Sequence, residues 1–331
     1  MPRLTTPALL ILAALLLVGC ADSGDDTDQR ILSPYDEDAG LTDVGDHLDD
    51  ANDAGDGDTL PDTDDAGGQD GPDVHDPTPD DVGSGAADAG DGFCQPAGDN
   101  KIRRDRFPAI TGSSAPFLIR LDAPVDTAGE PADDGRRWDL SSQGDDDFTA
   151  QVTLEDPGDH WFGDLFPHAT YAAPLSQGED DEMGIFQITD DALLMVGIAS
   201  PEDGYFRTEL EYDPPVTVLS FPLELDKSWS TETRVSGSFG GNHVHGHDEV
   251  YTTSVDQAGT LKTPYGTFDV LRVNTHLEQE VWMGGFVWVT TEVQTHTFVA
   301  ECFGTVARIT SPDDQVGTEF DEAREIMRLG L

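Results

Sequence analysis

From residue 94 onward, apolar and polar positions alternate in short runs broken by Gly, Pro and Asp, and no long stretch keeps a helical period. A period of two predicts strands. The clearest runs cover 117–122, 147–155, 184–189, 192–198, 216–221 and 250–255. Two longer runs, 267–282 and 286–300, flank Met283-Gly284-Gly285 and predict a hairpin, and 303–309 follows as the next strand. The tail, 319–329, fits either a short helix or a closing strand. The expected fold class is mainly β: one domain, 94–331, with an antiparallel sheet folded as a sandwich or half-barrel. Pro214-Pro215 offers an alternative division into two subdomains.

The region before this domain has a different character. Residues 1–19 carry one basic residue, a short apolar run and then small residues, which is the pattern of a secretion signal too short to span a bilayer. The run ends in Leu17-Val18-Gly19-Cys20, which resembles the bacterial lipobox. That resemblance implies cleavage before Cys20 and acylation of Cys20, a two-signal anchor strong enough to hold the protein at a membrane. Ala21 after the cysteine implies sorting to the outer membrane by the rule of enteric bacteria. Residues 20–93 would then be an acylated cysteine followed by a tether rich in Asp and Gly and too poor in apolar residues to offset its ordering entropy. Pairs such as Asp56 and Asp58 lack the ordered ligands of an EF-hand loop, so a solvated, disordered tether is preferred to a calcium site.

Charge sharpens the picture of partners. The formal net charge is −50, which repels a phosphate backbone and argues against nucleic acid. The tether segment 21–93 holds 24 acidic residues and one base, but 43 acids against 15 bases remain in 94–331, so the folded part is acidic in its own right.

With Cys20 assigned to the anchor, Cys94 and Cys302 remain, one at each edge of the folded region, and an exported protein most simply joins them in a disulfide. Trp138 and Trp229 are expected to anchor the core. His276 and His296 fall in the two arms of the long hairpin as candidate cross-strand neighbours.

The strongest candidate for chemistry is the run 241–249, in which His243, His245 and His247 alternate and Asp248 and Glu249 follow. Imidazoles on one face of a strand, with a carboxylate from Asp248 or Glu249, match the donor types of a zinc site if the flanking glycines bend the backbone. The glycine-rich setting predicts an exposed hairpin loop that binds a divalent cation weakly and does no chemistry, with no other cofactor. No H-E-x-x-H, Gly-x-Ser-x-Gly or phosphate-cradling loop occurs in the sequence.

Six phrases, 137–141, 166–170, 191–197, 221–229, 263–272 and 303–308, including WDLS, FPLELDKSW and TPYGTFDVLR, resemble a loosely defined group of bacterial secreted and lipoprotein β domains. The group has no agreed catalytic residues to transfer. The expected function is therefore that of a membrane-anchored cell-envelope lipoprotein whose β domain binds a ligand or fills a structural role without catalysis. Its partners would be the membrane, through the lipid, and an envelope protein or apolar ligand. Two alternatives stand beside it: a lipid or lipoprotein carrier, and a metal-dependent hydrolase built on 243–249.

Overall fold

The computed structural model describes residues 94–133, 135–177, 182–283, 286–315 and 317–331, with backbone only at 242–246, 281–283 and 286–289. The expected signal peptide, Cys20 and the expected tether lie outside the described residues.

Among the described residues the domain holds sixteen strands, of which the first eight are β1 (Lys101–Ile102), β2 (Ser114–Pro124), β3 (Glu130–Ala132), β4 (Gly135–Asp139), β5 (Phe148–Thr153), β6 (Tyr171–Pro174), β7 (Met183–Ile188) and β8 (Ala192–Ala199). The second half is β9 (Glu209–Ser220), β10 (Leu223–Glu224), β11 (Ser228–Phe239), β12 (Asn242–Lys262), β13 (Thr267–Met283), β14 (Phe286–Ala300), β15 (Gly304–Thr310) and β16 (Glu322–Leu329). Helix is confined to three short 3-10 turns among the described residues. The main sheet runs β5-β2-β16-β15-β14-β13-β12-β11-β9-β8-β7-β6, with each neighbour antiparallel. Its two edges meet. Glu155, just after β5, exchanges backbone hydrogen bonds of 2.7 and 2.9 Å with Ala172 of β6, so the sheet curls into a nearly closed barrel.

Closure satisfies edge groups that an open sheet would leave unpaired. It also gives each strand an inner and an outer face. Along β11, Thr231, Thr233 and Val235 are buried while Ser230, Glu232 and Arg234 are exposed, the alternation that the sequence predicts for a half-buried strand. The predicted long hairpin is β13–β14, and the tail closes the barrel as strand β16 between β15 and β2. Its helical alternative is thereby settled against: the tail's buried positions pair with both neighbours.

Pro214-Pro215 does not divide the domain. Met195 pairs with Val216 and Gly197 with Glu211, so residues 212–215 bulge from the β8–β9 ladder, where a missing proline N–H leaves no ladder bond unmade. Strand β9 continues across them. The long hairpin register also corrects one expectation: His276 is opposite Gln294 and His296 opposite Asn274, so the two histidines are diagonal neighbours. A register shift at Val281/Trp282 displaces the arms from the count outward from the turn.

Much of the outer face is covered. Segment 125–140 and segment 311–321 lie over β12 to β15, where Trp138 is buried edge-to-face on Phe298 with ring centres 5.0 Å apart and donates from Nε1 to Thr127 O at 2.9 Å. Strand β4 pairs in parallel with the part of β12 beyond the reach of β11. Gly259 permits this approach, since a Cβ there would sit 1.9 Å from Arg136 O. Beneath the cover, Arg272 is fully buried and bonds Asp256, Glu319 and Thr127 O. Trp229, the other expected anchor, is half-buried and donates to Thr217 O at 2.8 Å.

His296 sits in the same layer, stacked on Phe320, with Nε2 2.9 Å from Thr318 O. Burial, and then the charge of Arg272, push its imidazole down from 6.5 to about 4. Between those values the unfolded chain takes up a proton that the folded chain refuses, so this contribution is complete above pH 6.5 and is lost as the pH falls to about 4. The full loss is about 3 kcal/mol. Urea midpoints at pH 7 and pH 4.5 should therefore differ more for the native chain than for His296→Gln, which keeps a neutral donor toward Thr318. Equal differences in the two proteins would rule the contribution out.

Candidate functional site

The inner face of the barrel holds a cavity of about 450 Å³. Its apolar wall comes from β2, β6, β7, β8, β9 and β16, with Phe117, Tyr171, Phe186, Leu193, Met195 and Leu329 among its members. The opposite wall is hydroxyl-rich: Thr253 of β12, Thr275 of β13 and Thr295 and Thr297 of β14 face in at alternate positions, followed by Arg308 of β15. Small-molecule sites usually measure about 300–1,000 Å³ and combine apolar lining with a few convergent polar groups. Pro108, Ser113, Ser114 and Phe303, which also line it, are solvent-exposed, so the cavity reaches the surface there.

That rim is stapled. Cys94 and Cys302 form the expected disulfide, with Cα atoms 5.5 Å apart, and Cys302 itself lines the cavity. Its backbone N donates to Arg106 O at 2.8 Å, which binds the rim to the segment leading into β2.

Beyond Tyr251, toward the β11–β12 turn, the interior becomes a polar cluster. Glu249 is fully buried and accepts from Tyr251 Oη on one oxygen and from Gln279 Nε2 on the other, each at 2.7 Å; His247 Nε2 also lies 2.7 Å from the second oxygen. Burial, and then the negative charge of Glu249, raise the hydroxyls of Tyr212 and Tyr251 well above the ordinary tyrosine value. Both stay protonated. Tyr251 is therefore a permanent donor to the carboxylate, and both oxygens of Glu249 are engaged in holding the barrel's end together.

These positions correct the reading of 241–249. Asn242 to Glu249 form the start of β12, and only Gly240-Gly241 make the turn, with φ of 53° and 77°. His247 and Glu249 point into the barrel, whereas Asp248, on the opposite face, is half-exposed and bonds Arg234 at 3.0 Å. Successive strand residues face opposite ways, so His247 and Asp248 do not converge on one ion. A β-bulge adds a second break: Val235 pairs with His247 but Gly237 with Val244, which places an extra residue in β12 and ends the period-two relation between positions 243 and 247. The side chains of His243 and His245 lie outside the described residues. Among the described residues, no group of three or more His, Cys, Asp or Glu side chains is arranged to hold a metal.

The cavity was not anticipated as a set of residues. One signal for it exists in the sequence, since 247, 249, 251, 253 and 255 share a period of two and run from charged to hydroxyl to apolar. Comparison of the chain with protein-family models, with characterised proteins and with solved structures returns no significant match.

Proposed function

We propose that this domain binds a single apolar or amphipathic molecule inside its barrel and performs no chemistry on it, acting at the cell envelope, where an acylated Cys20 would tether it. The carrying observation is the apolar cavity, open at the rim formed by Ser113, Ser114 and Phe303 and backed by a threonine wall. The exterior supports an interior site. Exposed Ser230, Glu232 and Arg234 on β11 are the reverse of the apolar outer band that a membrane-spanning barrel presents. Among the described residues, no helix is long and apolar enough to cross a membrane. Of the functions expected from sequence, this one is closest to a lipid carrier, and the long acidic tether would give the domain reach from the anchor.

The test is a titration with N-phenyl-1-naphthylamine, an apolar probe that fluoresces on leaving water. The native chain should show a saturable rise at one site. Ala173→Trp, which fills the cavity from β6, should weaken binding at least tenfold while the far-ultraviolet spectrum remains that of a β protein. Thr217→Trp, on the same cavity's wall, serves as a second obstruction should the first fail to fold. Absence of saturable binding, or full binding by a folded, obstructed variant, would refute the proposal.

The anchor is tested separately. Cys20→Ser should abolish incorporation of labelled palmitate in the exporting cell, and equal labelling of both forms would dismiss acylation at Cys20.

A further inference from the structure

Three adjacent strands bring polar side chains together on the inner face. Thr295 of β14 is opposite Thr310 of β15, which is opposite Glu325 of β16; one step toward the rim, Thr297 is opposite Arg308, which is opposite Met327. Side chains opposite one another in a sheet lie about 5 Å apart at Cβ. Arg308 Nη2 donates to Glu325 Oε1 at 3.0 Å and to Leu175 O at 2.8 Å. Nevertheless Arg308 Nε, Glu325 Oε2, Thr295 Oγ1 and Thr310 Oγ1 are buried with no hydrogen-bond partner among the described residues. Thr310 is 0 % exposed, Glu325 1 % and Thr295 5 %.

An unpaired buried polar group costs about 1–3 kcal/mol, and native proteins keep few of them. Four are gathered in one patch, two of them on residues of the cavity wall, Thr295 and Arg308. Building on the reading of the barrel as an apolar binding site, we infer that this patch binds the head of a single-chain lipid, and that the head is uncharged and carries hydroxyl groups, as in a monoacylglycerol.

The chemistry of the patch selects that head. Arg308 Nε–H is a donor, Glu325 Oε2 an acceptor, and the two threonine hydroxyls do either, so the complement must accept and donate at once. A hydroxyl does both. An ionised carboxylate only accepts and would face Glu325 inside a domain already rich in acids; a quaternary ammonium offers no N–H and would face Arg308. Because Arg308 and Glu325 neutralise one another, neither ion gains a full counter-charge by entering. Size selects a single chain. At about 30 Å³ for each water-sized group, a cavity of 450 Å³ holds on the order of fifteen such groups.

Calorimetric titration of the full chain with monooctanoylglycerol, octanoate and octyltrimethylammonium, each below its aggregation concentration, tests this. The glycerol ester should bind at least tenfold more tightly than either ion. Thr295→Val with Thr310→Val removes two unpaired hydroxyls at nearly constant volume. It should leave the fold intact, as read from the far-ultraviolet spectrum, and reduce the preference to within twofold. Equal affinity for the three lipids, or a preference that survives the double substitution, would overturn the inference while the apolar site stands; the patch would then hold water only. Failure of the apolar probe as well would overturn both.

Discussion

Removing the disulfide, by Cys94→Ser, Cys302→Ser or both, should lower stability by up to about 5 kcal/mol, the largest loss expected from any single bond in the chain. The magnitude follows from where the bond is placed. Cys94 and Cys302 are 208 residues apart, so the loop they close contains most of the domain, and the entropy withheld from the unfolded chain grows with the logarithm of that length. The folded side of the balance is local. The bond pins the N-terminal segment to the β14–β15 turn, where Ala97 N also donates to Glu301 Oε2 at 2.7 Å and Arg106 bonds Gln95 O. Since Cys302 lines the cavity rim, the reduced protein should also release its apolar ligand faster. Urea unfolding with and without reductant reads the first effect, and stopped-flow displacement of the probe reads the second. Coincident unfolding curves would show that the bond contributes nothing.

Replacing Arg328 should cost about 3–5 kcal/mol, because it takes one of two cations from buried Asp147 and leaves three backbone carbonyls without their donor. Arg328 lies on the outer face of β16 under the loop that leads into β5, and four acceptors converge on its guanidinium: Leu140 O, Leu118 O, Ser142 O and Asp147 Oδ2, the last at 2.6 Å. Arg328 and Asp147 are 2 % and 3 % exposed, so water does not replace a lost partner cheaply. Burial alone would raise the Asp147 carboxyl, but hydrogen bonds from Arg120 and Gly144 and the charge of Arg328 outweigh it and bring it down from 3.8 to about 2. A depressed carboxylate contributes stability that is complete above its unfolded value and is lost as the pH falls through the folded one, here from about 3.8 toward 2. Arg328→Met removes one of the two cations on Asp147, Arg120 being the other, so acid unfolding should begin at a higher pH than in the native chain. Arg328→Met combined with Asp147→Leu and Arg120→Leu should recover part of the loss, since Arg120 also pairs with Asp147 and removing all three leaves no unpaired charge. A single variant as stable as the native protein would refute the account.

How far the site could be read from the chain differs from residue to residue. The run 247–255 announces a strand, and its alternation says that His247, Glu249 and Tyr251 share a face. It does not say that this face is the inside. The neighbouring glycines and acids favour the opposite reading, an exposed loop with a metal, because local composition at 240–249 is that of a hairpin tip. Burial of Glu249 is decided by Gln279 and Tyr251, which reach it from β13 and from its own strand. Arg308 and Glu325 show the same limit: Arg308 is the one charged residue of β15 and Glu325 is one of four in β16, with Glu322, Arg324 and Arg328, and neither run says that these two meet on the inner face.

Short-range information was sufficient wherever a feature depends on period and punctuation. The alternating runs, the β13–β14 hairpin, the pairing of the two late cysteines and the mainly β antiparallel class all belong to that kind. Closure of the barrel does not, because it rests on Glu155 meeting Ala172 across the open edges of a long sheet, and no local pattern specifies which edges meet. The direction of His247 does not either, since a one-residue bulge opposite Val235–Gly237 resets which positions face inward. The cavity and its polar patch depend on both. Side-chain alternation has only two phases, so a strand's sequence narrows the orientation to two choices, and the curvature imposed by all the other strands selects between them.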